Sequence, residues 1–198
     1  LLGAGTLITF LTTVLTSLIM LGWAIAVKKL VCPRLEHGMA FERWSLTWLR
    51  IAIVVDAAAL LTASSTMMLR TEMIVWLYRA FGARVGRNVV IDVAVGGMAP
   101  IADLIEVEDD VLIEAGVVLM PITTEDDIHF KCARIRLGRD VNVLTCSMVR
   151  GGTSVGDGAV VGIMSIAQGD VPPGALVADS DVKLEPDAAA HVAHLTQT

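Results

Sequence analysis

The chain has 198 residues, 55% of them hydrophobic, and its mean hydropathy of +0.68 is too high for an ordinary soluble protein, so part of it is expected in lipid. Charge is split: residues 1–87 carry nine Lys and Arg against four acids, net +5, and residues 88–198 carry six against seventeen, net −11. The basic half suits anionic lipid, the acidic half argues against nucleic acid as a partner, and Cys32, Cys132 and Cys146 form neither a zinc pattern nor a disulfide framework.

Residues 1–27 contain no charged side chain, and roughly 20 apolar residues suffice to cross a bilayer, so 1–29 is predicted as a transmembrane helix. It lacks the charged start and cleavage site of a signal peptide. Because it opens on Leu rather than Met, the chain is expected to be cut from a longer one. Lys28 and Lys29 close this helix, and the positive-inside rule puts them in the cytoplasm. Residues 30–84 read as a juxtamembrane linker with interfacial or re-entrant helices. The apolar stretch 51–68 carries Asp56, and a carboxylate at the bilayer centre costs roughly 2.5–3.5 kcal/mol; both its flanks are basic, so it is expected to lie in the interface rather than span. Trp44, Trp48, Trp76 and Tyr78 fit an interfacial aromatic belt or packing against the next domain. The expected location is the cell membrane, with the rest of the chain on the cytoplasmic side.

From 85 to 178 the sequence beats in sixes. Leu137, Val143, Val149, Val155, Val161 and Ala167 fill the first position of successive hexads, and Val141, Ser147, Thr153, Ala159, Ser165 and Val171 the fifth. A period of six fits neither helix nor simple strand alternation but does fit a hexapeptide β-helix, with the first residue pointing inward and a small fifth residue at the corner. The beat returns upstream at Val95, Ile101, Val107, Ile113 and Leu119, with Ala99, Ile105, Val111, Val117 and Thr123 in the fifth position, and a fragment starts at Val85 and Ile91. About four coils result, enough for neighbouring repeats to bury one another. Between Thr124 and Arg134 the beat breaks, which predicts a projecting loop. Gly156 falls at a second position, where a tight corner suits glycine, and no phosphate-loop pattern follows. Pro172 and Pro173 end the coils, and 179–198 is an acidic tail.

The run from Leu77 through Phe81-Gly82-Ala83-Arg84-Val85-Gly86 to Val89 looks like the lead-in of hexapeptide acyltransferase domains. Lys29 to Trp48, with Gly38, Phe41 and Arg43-Trp44-Ser45, followed by Thr123-Thr124-Glu125-Asp126-Asp127 and Ile135-Arg136-Leu137-Gly138, resembles the membrane-bound carboxyl-terminal region of ε-poly-lysine synthetase-like nonribosomal peptide synthetases. The resemblance implies a membrane-anchored chain: transmembrane and interfacial helices followed by a left-handed parallel β-helix of hexapeptide repeats. It also implies amide-bond formation from an aminoacyl thioester held on a phosphopantetheine carrier domain, or on CoA, with no tightly bound cofactor. The implied partners are membrane lipid, the carrier domain, and sister β-helix domains or two further copies in a homotrimer. Where that family places a histidine after a proline, this chain has Ile122 after Pro121. The proton acceptor that an attacking amine needs is then sought in His129, Glu125 or Asp126, while Asp127 departs from the family motif. Three acids in a loop are also what a solvated turn looks like. His37, His191 and His194 have no metal-ligand spacing. Two alternatives stay open: a catalytically silent scaffold within a tandem array, and a stand-alone acetyl-CoA-dependent acetyltransferase.

Overall fold

A computed structural model describes residues 2–32, 34–59, 69–93, 99–124, 126, 128–179 and 181–184, with backbone alone for 2–5, 7–10, 13, 14, 17, 99, 100 and 181–184. Helix α1 (Leu2–Val31) leads, followed by a short strand β1 (Ala40–Glu42), helix α2 (Leu46–Ala59) and helix α3 (Glu72–Phe81). Helix α3 has Glu72 in its first turn and Arg79 in its last, matching its dipole. It ends at Gly82, whose φ of 110° lets the N–H groups of Gly82 and Ala83 turn back onto the carbonyls of Arg79 and Tyr78.

Strands β2 (Arg84–Val85) to β16 (Ala175–Ala178) then wind into a parallel β-helix, and β7 and β8 leave the coil. The first face stacks β2, β4, β9, β12 and β15, the second β3, β5, β10, β13 and β16, and the third β6, β11 and β14. On the first face Val85, Val107, Leu137, Val155 and Val171 lie in register, so successive coils take 22, 30, 18 and 16 residues. A coil of three hexads needs 18. The first of these coils contains the 3₁₀ helix Ala99–Leu104, and the second an inserted hairpin.

All twelve first- and fifth-position residues expected between Leu137 and Val171 are buried, none more than 3% exposed. The buried hydroxyls among them are satisfied: Ser147 donates to the Leu144 carbonyl at 2.6 Å and Thr153 to that of Ala167 at 3.3 Å. One corner repeats in every coil. Three residues past each inward residue of the first face stand Asn88, Asp110, Asp140, Gly158 and Gly174, all at φ between 55° and 68°, a conformation that only Gly, Asn and Asp visit readily. At the neighbouring position Gly156 lies so close to the next coil that a Cβ would sit 2.5 Å from the Pro173 nitrogen. Upstream the expected register holds for Val107, Ile113 and Leu119, which are buried. Ile101 packs only partly, into the helical side of the core, Thr123 belongs to the hairpin, and Val95 lies outside the described residues.

Helix α3 closes the open end of the first coil, placing Ile74, Leu77, Tyr78 and Phe81 in one core with Ile91, Ile105 and Ile113. Burial drives the Tyr78 phenol well above its ordinary pKa, and its hydroxyl donates to the Val93 carbonyl at 3.3 Å. Tyr78 is therefore a core residue, whereas Trp44 and Trp76 are 78% and 58% exposed. At the far end β17 (Asp181–Leu184) pairs antiparallel with β16.

The membrane-anchored architecture is corrected by this arrangement. Among the described residues no helix is long and apolar enough to cross a membrane. The carboxyl half of α1 is packed on protein: Ala24 is 1% exposed, and Lys28, expected at the cytoplasmic end of a transmembrane helix, is buried with its Nζ 2.6 Å from Asp103. Helix α2 likewise turns Ile51, Val54, Ala57 and Ala58 inward, leaving Asp56 outside; residues 60–68 of the expected interfacial stretch lie outside the described residues.

Candidate active site on the inserted hairpin

The insertion opens between Leu119 of the third face and Leu137 of the first. Strand β7 (Ile122–Thr124) leaves the coil and β8 (His129–Cys132) returns antiparallel to it, pairing Ile122 with Cys132 and Thr124 with Phe130. Strand β1 adds on the other side of β8, with Phe41 opposite Phe130 and Glu42 opposite His129. The two phenyl rings stack with centroids 5.5 Å apart, and the Arg43 N–H donates to the Ile128 carbonyl at 2.7 Å, so the tip is held from the linker side too.

At the tip Asp126 folds the turn around its own carboxylate. Its Oδ1 accepts from the N–H groups of Ile128 at 3.3 Å and His129 at 2.8 Å. The His129 ring follows: Nδ1 lies 2.9 Å from Oδ1 and 3.0 Å from Oδ2. These bonds, the His129 N–H first and its ring second, hold the Asp126 carboxyl below the ordinary carboxylate range. An ionised Asp126 accepts a hydrogen bond from Nδ1–H, which in the neutral ring makes Nε2 the acceptor nitrogen. Glu42 Oε1 stands 3.7 Å from Nε2, beyond hydrogen-bond distance. The three side chains are 55%, 59% and 69% exposed for His129, Asp126 and Glu42.

Of the residues expected to carry chemistry, His129 and Asp126 therefore meet, and Glu125 lies outside the described residues, as do Asp127, His191 and His194. His37 has a structural contact, its Nδ1 accepting from the Arg134 N–H at 3.2 Å. Ile122 packs at the hairpin base beside Phe130 and Cys132. Glu42 was not expected, because its position depends on β1 pairing with a strand nearly ninety residues away. Among the described residues no three His, Cys, Asp or Glu converge as a metal site.

By its own topology the chain is a parallel β-helix of hexapeptide repeats. Its sequence matches no protein-family model and no curated protein. Solved structures with a similar trace include a hexapeptide-repeat-containing acetyltransferase from Vibrio cholerae complexed with acetyl coenzyme A, at 16% identity over 66% of this chain and 85% of that one, TM-score 0.48. A maltose O-acetyltransferase from Clostridium difficile is similar at 14% identity over 75% and 94%, TM-score 0.46. An N-acyltransferase from Bacillus cereus, in complex with dTDP and coenzyme A, is similar at 14% identity over 47% of this chain and 60% of that one, TM-score 0.37.

Proposed function

We propose that the chain is an acyltransferase in which His129, oriented by Asp126, is the general base for an acceptor attacking an acyl thioester. The observation that carries this reading is the bond between Nδ1 and the Asp126 carboxylate, which fixes the ring and, in its neutral form, the tautomer with Nε2 as acceptor. The acceptor's N–H or O–H passes its proton to Nε2 while its heteroatom attacks the thioester carbonyl. The C–S bond then breaks, and the leaving thiolate takes the proton back from Nε2. Such assistance is worth about 10²–10⁴ in rate. Glu42, 3.7 Å from Nε2, is placed to accept a second hydrogen from an amine acceptor, which favours amine over alcohol.

The donor is a CoA-linked thioester in the simplest form, acting without any upstream machinery. The finer form, an aminoacyl group on a phosphopantetheine carrier domain of a nonribosomal peptide synthetase, rests on the sequence resemblance. Because all three side chains are more than half exposed, a second wall is needed to keep water from the thioester. The hairpin leaves the coil beside the third face, whose outward residues Val118 and Ile166 are exposed, and a second β-helix seated there, from another copy or a sister domain, would supply it. The same exposure favours a second reading, a scaffold whose partner does the chemistry.

Thiol release from acetyl-CoA and from a pantetheine thioester, measured with amine and alcohol acceptors, separates these readings. His129→Ala is expected to lower the rate at least a hundredfold and Asp126→Asn at least tenfold, with melting unchanged. Parental rates in both variants would leave only the scaffold.

A further inference from the structure

Helices α1 and α3 lie side by side, and the seam between them changes character along its length. Toward the amino end of α3 and beside the second half of α1 it is an apolar groove of about 450 Å³ lined by Leu18, Gly22 and Ile25 of α1 and Met73, Trp76 and Leu77 of α3, with Glu72 at its rim. Toward their carboxyl ends the same helices border a cavity of about 400 Å³ with Lys28, Lys29, Arg34 and Arg79 around the carboxylate of Asp103. One α-helical residue rises about 1.5 Å, so Gly22 and Lys29 stand roughly 10 Å apart along the seam.

The cavity's charges divide into occupied and free. Lys28 is neutralised by Asp103 at 2.6 Å, both side chains at least 93% buried. Arg79 donates to the carbonyls of Val85, at 3.0 Å, and of Gly86. Lys29 and Arg34 are exposed at the mouth, and among the described residues neither has an ion-pair partner. Two carboxyl-terminal helix ends attract cations on their own, at about half a charge each. Two free cations beyond the paired Lys28 and the tied Arg79 exceed that need. Cys32 also borders the cavity, and burial raises its thiol above the ordinary range, so it stays protonated and offers no thiolate for covalent capture.

We infer that the α1–α3 seam binds a free long-chain phosphate ester, its phosphate between Lys29 and Arg34 and its alkyl chain in the groove toward Trp76. Charge sets the direction: the acid at the groove's far rim, Glu72, repels the head, and the basic mouth attracts it. The apolar wall explains why a chain accompanies the head, since a bare phosphate would leave the groove wet.

Titration calorimetry with decyl phosphate, below the concentration at which it forms micelles, tests this directly. One ester per chain is expected, at least tenfold tighter than either inorganic phosphate or decanol, with a blue shift of Trp76 emission. Lys29→Ala combined with Arg34→Ala should reduce affinity at least tenfold, to that of decanol. Gly22→Leu, whose new Cβ meets nothing within 4 Å, should fill the groove and reduce affinity at least tenfold while melting stays equal or rises. Equal binding of decanol or of inorganic phosphate, or parental affinity in either variant, would overturn the assignment. So would binding only to anionic phospholipid vesicles, or a change in solution mass on Gly22→Leu without loss of ester binding, which would give the groove to a second copy.

Discussion

The first and third faces of the β-helix share one interior and differ outside. On the first, Arg84, Glu106 and Arg136 lie in register on successive coils, and Glu106 receives Arg84 at 2.8 Å, Arg136 at 3.0 Å and Arg134 at 3.2 Å. On the third, the register brings Val118, Met148 and Ile166 together, and Val118 and Ile166 are 42% and 41% exposed. One face closes its polar chemistry within the molecule; the other leaves apolar surface for something else. In a solenoid the inward column sets the fold, so the outward columns are free to be specialised one face at a time. An exposed apolar sheet face is the usual mark of a contact surface.

The largest effect is expected in the interior that both faces share. Val155 is 2% exposed between Leu137 and Val171, and Val155→Asp would bury an unpaired carboxylate at a cost of several kcal/mol, enough to abolish the cooperative thermal transition. A parental melt would break the shared-interior half of the comparison. Gly156→Ala comes next: its Cβ would meet backbone rather than a yielding side chain, and an overpacking cost of about 1–3 kcal/mol should appear as a clear drop in melting temperature.

A matched pair sharpens the difference between the faces. Glu106→Gln removes the charge that three guanidiniums share and should cost about 1 kcal/mol, between the exposed and buried limits for ion pairs. Met148→Gln on the third face should change the monomer's stability by less than about 0.5 kcal/mol in chemical denaturation. Equal effects would mean that the third face is already closed within the chain. The smallest effect is local and lies at the hairpin between the two faces. Asp126 has a lowered folded pKa, so its contribution to tip order is present above its unfolded value and lost as pH falls through the folded one. Amide exchange at His129 should therefore rise only below the ordinary carboxylate range, and Asp126→Asn should abolish that dependence without moving the global melt.

How far these features could be read beforehand follows contact distance along the chain. The columns from Leu137 to Val171 were legible because each residue's neighbours recur every 18 or 16 positions and repeat the same constraint. Register was lost near Thr123 because an insertion has no period, and the two hydrophobic patterns resume on either side of it without announcing its length. Asp126 and His129 are three residues apart, so a turn alone could bring them together, and the sequence pointed there. Glu42 and Lys28 were missed or misassigned for the opposite reason. Lys28 meets Asp103 across 75 residues, and a basic pair closing an apolar helix looks the same whether a membrane surface or a buried carboxylate awaits it.

The reversed strand at the end of the second face has a consequence for how copies of this molecule can associate. Parallel ladders of this kind are self-templating: an open terminal edge offers the next coil of any identical molecule the hydrogen bonds it needs, and filaments would grow end to end. Strand β17 occupies the β16 edge while running the other way, Ala175 opposite Leu184 and Ala178 opposite Asp181. A coil arriving from a second copy would find the second-face ladder already terminated in the wrong sense, and the opposite end is plugged by α3. Strand-for-strand axial extension of the second face is thereby disfavoured at both ends.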